Sequence, residues 1–231
     1  KSANSASKPA KGKQTDSMLR ADEIFQSIVV HGVSLKRTPV NSTGAFIIET
    51  NRMTNPVDFD VLIADPYNSV VDVQCYRDQA GNLIAEWTPI RVGTHKIEVL
   101  YRDQPVPNSP FMSEAFDPSG VQIEPLKKNQ FMLDDVIELK INKNEAGLAD
   151  LEVVLTDPNG EALAIDMQKT TKTDDTLEVA RIRPRMPGEH RINVTFGGYE
   201  VPKSPLILNV RDNREPVKVS GTGLICAEVN R

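Results

Sequence analysis

Gly93-Thr94-His95-Lys96-Ile97-Glu98-Val99-Leu100-Tyr101, with Val106-Pro107-Asn108-Ser109-Pro110-Phe111 close behind it, is the stretch that decides the fold. Ile97, Val99 and Tyr101 recur at every second position, the period of a strand with one buried face. The same pattern returns as Gly188-x-His190-x-Ile192-x-Val194-x-Phe196, then Val201-Pro202-x-Ser204-Pro205-Leu206, at an offset of 95 residues. The lead-ins also match, Trp87-Thr88-Pro89 against Ile182-Arg183-Pro184. A period of that length is one whole small domain, so the chain reads as a tandem array. Such an array is expected to work through extended surfaces and strand edges, with no need for a buried reactive centre.

Composition agrees. The chain has 231 residues, enough for two domains. Aromatic residues are only 5%, so each core must be built mainly from Val, Ile and Leu, the residues that suit strands. Sixteen prolines and thirteen glycines, scattered throughout, fit many short strands joined by turns. A formal net charge of −5 argues against nucleic acid as a partner, although Lys1, Lys8, Lys11 and Lys13 form a local basic run. No apolar run is long enough to cross a bilayer, so direct membrane insertion is not expected. Cys75 and Cys226 fall in different units, and the second unit has no cysteine, which favours a reducing compartment. Two glycosylation sequons, Asn41-Ser42-Thr43 and Asn193-Val194-Thr195, are read as chance matches.

Residues 1–26 carry few large apolar side chains and read as a flexible linker, with a short helix or a direct run into the first strand open for the stretch Asp16 to Phe25. Period-two patterning then fills residues 27–117 and 118–212. In the first unit Phe59-x-Val61-x-Ile63 and Val71-x-Val73-x-Cys75 flank the Asp65-Pro66 turn. In the second, Leu151-x-Val153-x-Leu155 and Leu163-x-Ile165-x-Met167 flank Asp157-Pro158. Seven short strands in about 90 residues describe an immunoglobulin-like sandwich. Val217 to Asn230 echoes Val30 to Asn41 at an offset of 189, so residues 213–231 are expected to be a linker and the first strand of a third domain. The predicted fold is all-β: two tandem immunoglobulin-like sandwiches plus the first strand of another.

The block Gly-x-His-x-Ile-x-Val-x-Tyr/Phe, followed by Val-Pro-x-Ser-Pro-Phe/Leu, resembles the end of the filamin-type immunoglobulin repeat. Val217-x-x-Ser220-Gly221-x-Gly223-Leu224 resembles the start of one, and Ala146-Gly147 before Leu151 matches the family's loop into its third strand. The chain departs from the pattern at Gly32-Val33-Ser34, where the family has Gly-x-Gly, and at Val121 to Pro125, which has no glycine pair. The resemblance implies a cytoplasmic, cytoskeletal scaffold whose repeats bind integrin-type receptor tails and signalling proteins. Actin crosslinking would belong to parts of a parent not present here. It also implies how: a partner adds a strand beside the third strand, C, and packs over the fourth, D. Carried over, C is Phe59 to Ala64 and Leu151 to Thr156; D is Val70 to Tyr76 and Ala162 to Gln168.

The groove residues are then Leu62, Ala64, Val71, Val73 and Cys75 in the first unit, and Val154, Thr156, Leu163, Ile165 and Met167 in the second. Leu62 and Val154 carry the sharper signal, because each is an apolar residue pointing away from the core face of an edge strand. Val71, Val73, Leu163 and Ile165 are positions that any sandwich uses for its core, and Cys75 reads as a small core residue. A terminal segment, Leu19 to Val30 or Val217 to Leu224, is expected to compete for a groove and make the site force-responsive.

No nucleophile elbow, zinc-binding pair, phosphate loop or Cys-x-x-Cys is present, so the chain is not read as an enzyme and no cofactor or metal is expected. His95 and His190 hold equivalent places in separate units and read as structural. Asp134-Asp135 and Asp174-Asp175 read as solvated turns. The alternative function is an extracellular adhesion or receptor ectodomain built of similar sandwiches; glycan on Asn41 or Asn193 would mark it.

Overall fold

The computed structural model describes residues 23–49, 56–128, 130–163, 165–169 and 176–212. Most of the expected linker, the expected strand within 213–231, Thr50, Asp174-Asp175 and Cys226 lie outside these residues.

The first repeat holds β1 Val29–His31, β2 Arg37–Pro39, β3 Gly44–Glu49, β4 Phe59–Ala64, β5 Val70–Val71, β6 Val73–Arg77, β7 Leu83–Trp87, β8 Gly93–Tyr101, β9 Gln104–Pro105 and β10 Phe111–Phe116. One sheet runs β1-β3-β7-β6 and the other β2-β10-β8-β4-β5, with β9 paired to β8. Alternation explains the pairing of the two layers. Phe46 and Ile48 of β3, Leu83, Ala85 and Trp87 of β7, and Ile97, Val99 and Tyr101 of β8 all point inward and are buried. Residues 23–26 form a helical turn whose Ile24 and Phe25 pack on this core, so the packed part of the repeat starts ahead of Ser27.

The second repeat follows the same plan with β11 Gln122–Ile123, β12 Gln130–Met132, β13 Ile137–Asn142, β14 Leu151–Thr156, β15 Ala162–Leu163, β16 Asp166–Lys169, β17 Leu177–Ile182, β18 Gly188–Phe196, β19 Tyr199–Glu200 and β20 Leu206–Arg211. Its sheets run β11-β13-β17-β16 and β12-β20-β18-β14-β15, the order of the first repeat. Leu139, Ile141, Leu155, Ala180, Ile182, Ile192, Val194 and Leu208 fill its core.

Two details of the repeated motif have a physical reason. Gly93 and Gly188 sit at φ 121° and 126°, and a Cβ there would lie 2.9 Å from Pro66 Cγ and 2.7 Å from Pro158 Cγ. Glycine is what lets β8 and β18 start beneath the Asp-Pro turn. The Asp of that turn is buried in both repeats. Asp65 accepts hydrogen bonds from the backbone N–H of Tyr67 and Ser69, each at 2.8 Å, and from Arg91. Asp157 accepts from Asn159 and Glu161 at 2.9 and 2.8 Å.

Burial alone would raise the Asp65 pKa, but the N–H groups of Ser69 and Tyr67 and the Arg91 guanidinium outweigh it and hold the carboxyl below its ordinary value. A depressed carboxylate stabilises the fold above its unfolded pKa, and that contribution is lost as pH falls through the folded pKa. Asp65→Asn is therefore expected to flatten the acid limb of thermal stability below about pH 4. Melting curves of both proteins from acid to neutral pH check this; two parallel profiles contradict it.

The fourth strand departs from expectation. The continuous D strands expected over Val70 to Tyr76 and Ala162 to Gln168 are each two short pieces. β5 pairs with β4 in one sheet, while β6 pairs with β7 in the other. The chain changes sheets at the exposed Asp72, and its counterpart changes between β15 and β16.

Candidate partner-binding groove

The change of sheet leaves part of β4 without a neighbour. In an antiparallel ladder, alternate residues turn their N–H and C=O to opposite sides. Asp65 N–H donates across to Ser69 O at 2.9 Å, on the β5 side, while Asp58 O accepts from Arg102 N–H at 2.8 Å, on the β8 side. Counting back by twos, Ile63, Val61 and Phe59 face the β5 side. β5 covers only Ile63 and Ala64 before the chain leaves at Asp72. Among the described residues no strand pairs with β4 at Phe59 and Val61 on that side. The second repeat repeats the geometry. Asp157 N–H donates to Glu161 O at 2.9 Å, Leu155 pairs with Leu163, and among the described residues no strand pairs with the backbone of Leu151 and Val153 on that side.

Side chains line the same gap. On the outer face, Leu62 is 51% exposed and Val154 43% exposed, as the alternation requires, and Ala64 and Thr156 beside them are half-buried. On the inner face, Val73 pairs with Trp87 and Cys75 with Ala85. Both partners are buried, so Val73 and Cys75 also point into the sandwich. Val73 is nevertheless only half-buried and Cys75 is exposed. Reading Cys75 as a core residue is therefore corrected. Its side chain has the core direction, but it lies just past the point where the chain crosses from one sheet to the other and is left exposed. Met167, opposite the buried Ala180, is its half-buried counterpart in the second repeat. Val71, Leu163 and Ile165 are likewise half-buried rather than sealed in the core.

The groove is thus a slot with a backbone rim on one side and apolar side chains on the other. Partial desolvation against its neighbours pushes the Cys75 thiol pKa up, which keeps it a neutral part of that wall. Sequence reasoning placed the edge on the third strand and named the side chains, but not the residues that form the rim, because Phe59 and Val61 read as core positions. Their backbones, not their side chains, are what the edge offers.

No group of three or more His, Cys, Asp or Glu able to hold a metal ion occurs among the described residues. His95 and His190 are fully buried, each within hydrogen-bonding distance of a carbonyl through Nδ1, Gly93 O at 3.0 Å and Gly188 O at 3.4 Å. Their Nδ1 atoms donate to an oxygen at the strand start, a structural task. No helix among the described residues is long and apolar enough to cross a membrane.

The Filamin/ABP280 repeat matches residues 24–112 and again 115–207. The chain belongs to the filamin repeat family. Filamin-A of Drosophila melanogaster is 28% identical over 204 residues, covering 85% of this chain, and the chain spans only 9% of that relative's length. Among solved structures, the Lin-41 filamin domain overlays 38% of this chain and 90% of its own at 15% identity and a TM-score of 0.33. The Escherichia coli adhesin FdeC overlays 80% of this chain and 64% of its own at 12% identity and a TM-score of 0.42. The filamin repeats here are immunoglobulin-like modules of protein–protein interaction.

Proposed function

We propose that these two filamin repeats hold partner proteins by β-strand addition, a segment of a receptor's cytoplasmic tail of the integrin type lying along β4 or β14 and over β6 or β16. The observation that supports it is the unpaired rim at Phe59 and Val61, repeated at Leu151 and Val153, set against a half-buried apolar wall. A partner backbone would satisfy the rim in register, and its alternate side chains would enter the slot. In this reading the chain is a cytoplasmic scaffold piece of an actin-crosslinking protein, and the exposed free thiol of Cys75 fits a reducing compartment. Titrating the isotopically labelled chain with a tail peptide of alternating apolar residues tests it: amide shifts concentrated on β4 and β6, or on β14 and β16, are expected. Shifts elsewhere, or none, contradict it.

The strand-like sequence Val217 to Leu224 motivates the regulatory half of the proposal. Deleting residues 213–231 is expected to raise peptide affinity if that segment competes for a groove, measured by calorimetry. Unchanged affinity removes the autoinhibitory reading and leaves strand addition standing.

A second reading, an extracellular adhesion module, has one observation in its favour. Asn41 opens a sequon, is exposed, and sits in a turn at φ 58°. Mass spectrometry of the protein isolated from its natural source separates the two: a glycan on Asn41 would place it outside the cell, and an unmodified Asn41 removes this support.

A further inference from the structure

Each repeat carries a second concavity that borders the strand-addition groove, sharing Val71 in the first repeat and Leu163 in the second, and the two have opposite chemistry. The framework is the same. In the first repeat Pro89 is buried and its carbonyl accepts from Asn41 N–H at 2.8 Å; in the second Pro184 is buried and its carbonyl accepts from Asp134 N–H at 3.2 Å. The residues flanking that fixed proline look outward, Thr88 and Ile90 in the first repeat, Arg183 and Arg185 in the second.

The first cleft, about 440 Å³, is lined by Asp65, Asp72 and Glu86 among others, with Arg91 as the one cation among the described residues. Arg91 is already committed to Asp65 and to the face of Tyr67. The second cleft, about 790 Å³, has Arg181, Arg183 and Arg185 against Glu138 and Asp166, over Val136 and Leu163. Arg181 is bound to Glu138, with Nε 3.1 Å from Oε1. Arg183 and Arg185 are exposed and make no ion pair among the described residues. Two guanidiniums held either side of a rigid proline, next to an exposed Val136, match a chain that alternates carboxylates with apolar side chains. Arginine suits that task, since its planar fork takes a carboxylate by two parallel hydrogen bonds.

We propose that the cleft at Arg183-Pro184-Arg185 is a docking site for an acidic, extended segment of a partner protein, and that the equivalent cleft of the first repeat rejects the same segment by charge. One scaffold position, written with different flanking residues, would then let neighbouring repeats sort partners by sign. The groove along β14 and β16 is not needed for this.

The test uses the full chain and a short synthetic peptide alternating glutamate with valine. Nitrogen-edited NMR is expected to show amide shifts at Val136, Arg183 and Arg185, binding that weakens as salt rises, and no such shifts with a lysine–valine peptide. Arg183→Ser with Arg185→Ser should weaken binding roughly tenfold or more. Both positions are exposed, so the fold should survive, and an unchanged spectrum away from the cleft verifies this. Thr88→Arg with Ile90→Arg should create shifts around Pro89 that the parent chain lacks. Glutamate-peptide shifts confined to β14 and β16, or affinity unchanged by the double serine variant, overturn the proposal while leaving strand addition untouched.

Discussion

Trp87→Ala is expected to destabilise the first repeat by about 3–5 kcal/mol. Trp87 is 2% exposed, is the only tryptophan in the chain, and sits on β7 between β3 and β6 with its ring 5.2 Å from that of His95. Its indole Nε1 meets no hydrogen-bond partner among the described residues, so what it contributes is packing. Alanine would leave a cavity between the two sheets that neither β7 nor β8 can close without breaking pairing. Trp87→Phe, which keeps much of the ring contact and removes an unsatisfied donor, is expected to cost less than about 2 kcal/mol. Urea denaturation followed by amide exchange within β8 checks the pair. Equal losses for both substitutions, or a loss below about 1 kcal/mol for alanine, would show that the core does not depend on this ring.

Cys75→Glu is expected to weaken peptide binding at the first repeat by roughly a hundredfold, with little change in stability. Cys75 is exposed, so a glutamate there stays hydrated in the free protein. A bound strand would bury it against apolar side chains, and that desolvation is the source of the loss. Met167→Glu should do the same for the second repeat, and calorimetry with each single variant and with both would apportion affinity between the two grooves. If Cys75→Glu binds as tightly as the parent chain, the inner face of β6 does not contact the partner.

The core and the repeat were legible because both rest on local periodicity. Ile97, Val99 and Tyr101, and Ile192, Val194 and Phe196, are buried where the period of two puts them. The outward direction of Leu62 and Val154 followed from the same count. The break in the fourth strand was not legible, because Val71-Asp72-Val73 keeps its alternation straight through the crossing between sheets. Nothing in that pattern says that one valine pairs in one sheet and the next in the other. The exposure of Cys75, just past this crossing, depends on how two sheets are arranged rather than on one strand's pattern. The backbone rim at Phe59 and Val61 was hidden for a related reason: inward side chains mark the core, while the amides of the same residues mark the edge. The basic cleft needed the fold most of all, since Val136, Asp166 and Arg183 lie far apart in sequence and meet only when β13, β16 and β17 stand side by side.

The measurement closest to the central claim is amide hydrogen exchange of the full chain with and without an apolar, extended tail peptide. Strand addition requires selective protection: the amides of Phe59 and Val61, or Leu151 and Val153, should slow when peptide is present. Asp60 and Leu62, whose N–H groups already face β8, should not change. Protection of the odd-numbered set alone is the expected result. Exchange at Phe59, Val61, Leu151 and Val153 that is the same with saturating peptide as without it would contradict the account, whatever the affinity measured.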